Sequence, residues 1–314
     1  MIIYDAHCDT ITRLTDSNQN LYRNDGHVDI QRMDGQKGHV QVFAAWIDPA
    51  YKMYPLKRCL QMMDVFFDQM AKYKPYIVFA ADYEQVMQAV DKGKVAALLS
   101  IEGGEAIQGD LGVLRMLYRL GVRSIGLTWN GKNEIGTGVG AGDEGLTPFG
   151  LEVIQEMNTL GMLIDVSHLS PKGFWDVIGH SSQPVIASHS NAKAICNHKR
   201  NLTDAQFQAM AEKGGVVGIN LYADFIKTGG KADINDVIRH IEHFMGLGGE
   251  NHVGLGADFD GMDRTPEGIN GVQDLNKIFD GLLKLNYTQE QVEKIAGKNF
   301  LELLKKVLKK QAYQ

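Results

Sequence analysis

Eight short apolar runs with strand character recur along the 314-residue chain, at 2–8, 39–47, 94–101, 122–129, 162–167, 184–189, 216–222 and 252–257. Segments with a helical repeat lie between most of them, at 55–73, 111–120, 148–160, 171–179, 203–213 and 233–246, and two more follow the last run, at 272–284 and 288–310. Thr203 with Gln206 three residues later has the form of a capping box. Parallel strands need crossover connections, and eight strand–helix units predict a (β/α)8 TIM barrel. The stretch 10–38 lacks periodicity and reads as a long loop after strand 1, over the barrel mouth, while the segments after 272 read as extra C-terminal helices. With no linker or internal repeat, residues 1–314 are expected to form a single domain.

Composition narrows the function. The hydrophobic fraction of 44% suits a packed globule. The formal net charge of −6 leaves no basic face for nucleic acid, and the basic stretch Lys305–Lys310 reads as the solvated side of the last helix. No apolar run approaches the roughly 18 residues of a membrane span. Three cysteines, Cys8, Cys59 and Cys196, without paired spacing argue against a disulfide framework or a zinc ribbon, so a cytoplasmic protein with reduced thiols is expected.

A TIM barrel carries its chemistry at the C-terminal ends of its strands. His7 and Asp9 end the first run, at a spacing that brings an imidazole and a carboxylate to one face of a strand. Four other runs also end in metal-binding residue types: Glu102, His168, His189 and Asp258. Strand parity agrees in each case checked, since Ala96, Leu98, Ser100 and Glu102 share a face, as do Ile164, Val166 and His168, or Val185, Ala187 and His189. Imidazoles and carboxylates converging from several strands make a divalent-metal site.

Other polar residues read as structural. His27 and Asp29 repeat the His-x-Asp spacing but lie in the long loop, where capping or turn roles are expected. His39 and His252 begin strands and so belong to the opposite mouth, and His180, His240 and His243 read as helix-surface residues. Gly103 and Gly104 lack the following Lys-Ser/Thr of a phosphate loop and read as a backbone turn beneath the site.

The segments DAHCDT, SIEGGEAI, LIDVSHLS, PVIASHSNAKAICNHKRN and VGLGADFDG resemble the membrane (renal) dipeptidase family, the zinc-dependent dipeptidases of the amidohydrolase-like barrels, in order from residue 2 to about 302. The resemblance implies that His7, Asp9 and Glu102 bind one zinc and that Glu102, His168 and His189 bind a second, with a hydroxide held between the two ions as nucleophile. It further implies that Asp258 shuttles the proton, in preference to Asp260, and that Arg200 clamps the terminal carboxylate of a dipeptide through a bidentate fork. Tolerance of a C-terminal D-residue is a family trait, and a homodimer is compatible with it. The chain departs from the pattern at Trp129, where animal members carry His; an indole cannot bind a metal, but its N–H, Asn130 or Lys132 could donate to substrate. The rival readings are a hydrolase of N-acyl amino acids, lactones or phosphoesters on the same centre, and a scaffold with a vestigial site.

Overall fold

The computed structural model describes residues 1–33 and 38–308. Within them the strands are β1 (Ile3–Cys8), β2 (His39–Trp46), β3 (Ile77–Phe79), β4 (Val95–Glu102), β5 (Val122–Gly126), β6 (Leu163–Asp165), β7 (Ile186–Ala187), β8 (Val216–Ile219) and β9 (Val253–Leu255). All pair in parallel. Eight of them close a barrel in the order β2-β1-β9-β8-β7-β6-β5-β4, and the β2–β4 pairing completes the ring. These are the eight runs expected from sequence.

The ninth strand, β3, is an addition to the expected set. It pairs only with the first residues of β4, Val95–Ala97, leaving β5 to pair with the later ones. Three residues are too few to show a period of two, so β3 escapes notice in the sequence.

The helices are α1 (Thr10–Thr15), α2 (Ile30–Met33), α3 (Pro55–Lys72), α4 (Tyr83–Asp91), α5 (Leu111–Arg119), α6 (Pro148–Leu160), α7 (Pro171–His180), α8 (Asp204–Glu212), α9 (Ala223–Ile226), α10 (Ile234–Gly246), α11 (Asn276–Lys284), α12 (Gln289–Glu293) and α13 (Asn299–Val307). Their starts are chemically marked: Thr147 and Ser170 cap α6 and α7, each ahead of a proline, and Thr203 forms the expected capping box with Gln206. The stretch 10–38 is not purely loop, because α1 and α2 form within it; residues 34–37 of that stretch lie outside the described residues. The segment 288–310 is broken by a π-helical turn at Lys294–Lys298, where Gly297 packs so closely on β1 that a Cβ would meet the Ile2 carbonyl at 2.7 Å. Of the basic tail, Lys305 and Lys306 are exposed, and Lys309 and Lys310 lie outside the described residues.

Two buried apolar layers hold the barrel. One lies between strands and helices. The other joins Tyr4, Val40, Val42, Ala96 and Leu98 to Phe300, Leu303 and Leu304 of α13, which closes the base. The mouth therefore lies at the other end. Among the described residues no helix is long and apolar enough to cross a membrane, and the three cysteines are free and buried.

Candidate metal centre

Backbone geometry, more than strand parity, delivers the polar side chains to the mouth. β1 and β2 shift register between Asp5 and Cys8, a bulge that re-aims the residues after it. The Asp5 carboxylate holds the bulge by accepting from the backbone N–H of Ala257 at 2.7 Å and of His7 at 3.4 Å, and from Gln41 at 3.0 Å. Asp258 N–H donates to the His7 carbonyl and Asp9 N–H to the Phe259 carbonyl, so β1 and the segment after β9 are laced together. Glu102 is the last residue of β4, in register with Trp46 and Gly126. His168 and Asp258 sit beyond their strands in left-handed backbone, at φ 67° and 63°. Such conformations are costly for residues with a Cβ and collect at functional sites. The parity argument thus reaches His168 by the wrong route: β6 stops at Asp165, and a turn swings His168 inward.

Six side chains meet there, all buried. His7 Nε2 lies 3.4 Å from Asp9 Oδ2, 3.5 Å from Glu102 Oε2 and 3.9 Å from Asp258 Oδ1. On the other side of the same carboxylate, Glu102 Oε1 lies 2.9 Å from His168 Nε2 and 3.4 Å from His189 Nε2. The donor atoms of His7, Asp9 and Asp258 fall within 4.8 Å of one another, as do those of His7, Glu102 and His189.

The second half has its tautomers set. His168 Nδ1 lies 3.0 Å from Asn130 Oδ1, which can only accept, so the ring proton is on Nδ1 and Nε2 presents a lone pair. His189 Nδ1 lies 2.7 Å from Ser188 Oγ, whose one proton goes to Asp165, so His189 is fixed the same way. The two Nε2 lone pairs then face each other at 2.9 Å. His7 Nε2 and Asp9 Oδ1 are buried without a hydrogen-bond partner. Opposed lone pairs and buried polar atoms without partners are expensive unless a cation sits among them, and the nitrogen and carboxylate donors suit a divalent transition metal.

Electrostatics point the same way. Burial alone would push the His7 pKa down, but the Glu102 and Asp9 carboxylates outweigh it and raise it well above the usual imidazole range. Burial pushes Asp9 up to about 7. Burial and the nearby Arg200 guanidinium hold His168 well below the ordinary value, and burial and His7 lower His189. The cluster is a negative, desolvated cavity that calls for positive charge.

The mouth opens into a cleft of about 460 Å3 lined by Asp9, Glu102, His168, Asp258, Trp46, Trp129, Asn130, Tyr222 and Phe225, among others. Trp129 is half-buried, edge-on to Trp46 at 5.2 Å and 6.1 Å from the His168 ring. Asn130 spends its carbonyl oxygen on His168. Lys132 pairs with Glu144 and does not line the cleft. Arg200 is buried, not part of a surface ion pair; its Nη2 donates to the His189 carbonyl at 3.0 Å, and it borders a smaller neighbouring cavity that also touches His168.

Asp260 lines the cleft, but its carboxylate accepts from Thr10 and from the His27 backbone, so it and His27 tie the long segment to the mouth. Asp29 accepts from Asn24, Arg32 and the Arg32 backbone, a local cap. His252 stays at the base on the Gly215 carbonyl, His180 bonds Asp176 on the surface and His243 pairs with Asp204. His240 is not a surface residue. It is fully buried, accepting from Ala192 N–H and reaching the Ile226 carbonyl, because α10 packs that face against the segment that follows His189.

Sequence reasoning passed over Trp46, Asp165, Ser188 and Asn220. Asn220 donates to Asp258 Oδ2 at 2.9 Å. Only the strand-end position of Trp46 and Asn220 could have flagged them; the Asp165–Ser188–His189 chain spans two strands and has no local signature.

A family model described as membrane dipeptidase, peptidase family M19, matches residues 1–313. An uncharacterised dipeptidase of Schizosaccharomyces pombe is 37% identical over 303 residues, 89% of this chain and 72% of that protein. The crystal structure of dipeptidase AC, a family M19 metallopeptidase, superposes with a TM-score of 0.92 at 29% identity, covering 98% of this chain and 99% of that one. A Rhodobacter sphaeroides metallopeptidase, solved with a phosphinate mimic of the dipeptide L-Ala-D-Ala, gives 0.92 at 28% identity over the same shares. The barrel, the buried donor cluster at its mouth and a family match over nearly the whole length agree, and the chain belongs to the membrane dipeptidase family, the metal-dependent dipeptidases of peptidase family M19.

Proposed function

We propose that this metallodipeptidase uses two zinc ions, one among His7, Asp9 and Glu102 and the other among Glu102, His168 and His189. The observation that carries the reading is Glu102: its two oxygens face different donor sets, Oε2 toward His7 and Oε1 toward His168 and His189. When bound, two such cations acidify a water and polarise the scissile carbonyl.

The chain's own residues do the rest. Asp258, held through Oδ2 by Asn220, keeps Oδ1 toward the reacting centre. It takes the proton from the attacking water as the C–O bond forms, and gives it to the leaving amine as the C–N bond breaks. Arg200 holds the terminal carboxylate of the dipeptide, and Trp129 and Asn130 wall the cleft that takes the substrate. The L-Ala-D-Ala mimic on the Rhodobacter protein supports dipeptides, C-terminal D-residues included, as substrates. Three free buried cysteines suit a reducing, cytoplasmic setting.

The test is a panel of L,L and L,D dipeptides assayed on zinc-reconstituted wild type and Asp258→Asn, with metal content measured for both. Asp258→Asn is expected to keep about two zinc ions while kcat falls by about 10²–10⁴; unchanged turnover would remove Asp258 from the mechanism.

A further inference from the structure

Beside the main cleft lies a second cavity of about 120 Å3, built from the segments that follow β6 and β7 and touching His168 on one side. Its permanently charged lining is all cationic, Arg200, Lys193 and Lys199, and Ser190, Asn201, Thr203 and Gln206 add neutral polar groups. Arg200 is 5% exposed and Ser190 2%, and Arg200 Nε and Ser190 Oγ are both buried without a hydrogen-bond partner. Lys193 is half-buried and Lys199 exposed, and among the described residues neither has an acidic partner. The opposite wall is apolar, formed in part by Leu169, Phe174 and Leu202. Asn201 adds an unpartnered carbonyl oxygen, while the acceptors of Thr203 and Gln206 are engaged in their mutual capping box.

Unmatched positive charge, two unpartnered buried donors and a short apolar wall describe a receptor for a carboxylate on a brief methylene stem. One carboxylate, the terminal one, is already assigned to Arg200. Two lysines and a serine remain beyond it. We propose that this cavity is the subsite for the side chain of the C-terminal residue and that it selects an acidic one, so that dipeptides ending in aspartate or glutamate are the preferred substrates. The inference rests on the dipeptidase reading above and deepens it. An uncharged amide of the same shape could satisfy Ser190 and Asn201, but it would gain none of the attraction of the Lys193 and Lys199 charges, which reach solvent and so act through a salt-screened field.

The test compares kcat/KM for L-Ala-Glu and L-Ala-Gln, each with L- and D-configured second residues, on the zinc-loaded enzyme. The wild-type preference for Glu over Gln is expected to be at least on the order of tenfold and to shrink as salt is raised. In the Lys193→Met, Lys199→Met double variant the Glu/Gln ratio is expected to fall toward one, mainly through KM. Both side chains reach solvent, and circular dichroism checks that the fold is kept. A wild-type ratio near one, with both dipeptides cleaved, overturns the acidic subsite and leaves the dipeptidase intact. Free glutarate inhibiting both substrates alike with that ratio still at one would mark a free-anion site instead, and also overturns it. Hydrolysis of neither dipeptide would sink the underlying reading and the subsite with it.

Discussion

At the base of the barrel Tyr4 stacks on Phe300 at 4.8 Å, α13 closes the apolar interior, and the strands run in regular register; at the mouth six ionisable side chains crowd together, two of them on left-handed backbone, with acceptors left unpaired. The Gly261 backbone comes so close to the cluster that a Cβ there would meet Asp9 Oδ2 at 2.2 Å and Asp258 Oδ1 at 2.6 Å. One end is built for stability, the other for a ligand it must acquire. The difference teaches that the mouth is unfavourable by itself and is held in place by the base and by second-layer hydrogen bonds.

The largest expected effect breaks the mouth alone. Glu102→Gln should lower kcat/KM by on the order of a thousandfold or more and cost both metals together, because one side chain serves both donor sets. Metal analysis that still finds two tightly held ions would refute the bridge. The converse change strikes the base. Phe300→Ala should destabilise by about 3–5 kcal/mol in urea unfolding, through lost burial and the cavity left under Tyr4. Its kcat per folded molecule should stay close to wild type, and a large drop would mean that the two ends are coupled.

A pH experiment sharpens the contrast. His39 at the base is buried with Nε2 on Gln41, and burial holds its pKa down at about 4. Well above pH 6.5 it is neutral in both folded and unfolded chains and contributes nothing to the pH dependence. As pH falls from there toward 4, only the unfolded chain takes up the proton, so stability drops, by about 3 kcal/mol in full. Denaturation of the metal-free protein between pH 7.5 and 4 should show this loss, and His39→Asn should lessen it; an identical acid limb in the variant would contradict the assignment. The smallest effect probes the hydrogen bonds behind the centre. Ser188→Ala removes the link between Asp165 and His189 and should weaken zinc binding about 10–100-fold, read by competition with a chelator, with little change in thermal stability of the metal-free form.

Much of this was legible in the chain. The eight barrel strands, the capping box at Thr203 and the strand-end residues His7, Glu102 and His189 follow from local patterns of period two and 3.6 and from the rule that barrels react at one end. β3 and α4 were not, because three residues are too few to show a period of two and α4 buries only Val86 and Ala89, too few apolar positions to mark a helical repeat. His240 was misread because its partners, Ala192 N–H and the Ile226 carbonyl, lie 48 and 14 residues away.

What the sequence determined by itself is the order of elements and the kind of residue that reaches the mouth, since both depend on neighbours a few positions apart. Tertiary structure alone decided how those residues are presented. Left-handed turns aim His168 and Asp258, Asn130 and the Asp165–Ser188 pair choose the imidazole tautomers, and Arg200 borders a cavity of its own. Each of these depends on backbone conformations and hydrogen bonds that are affordable only once distant segments have packed, and no local pattern records them.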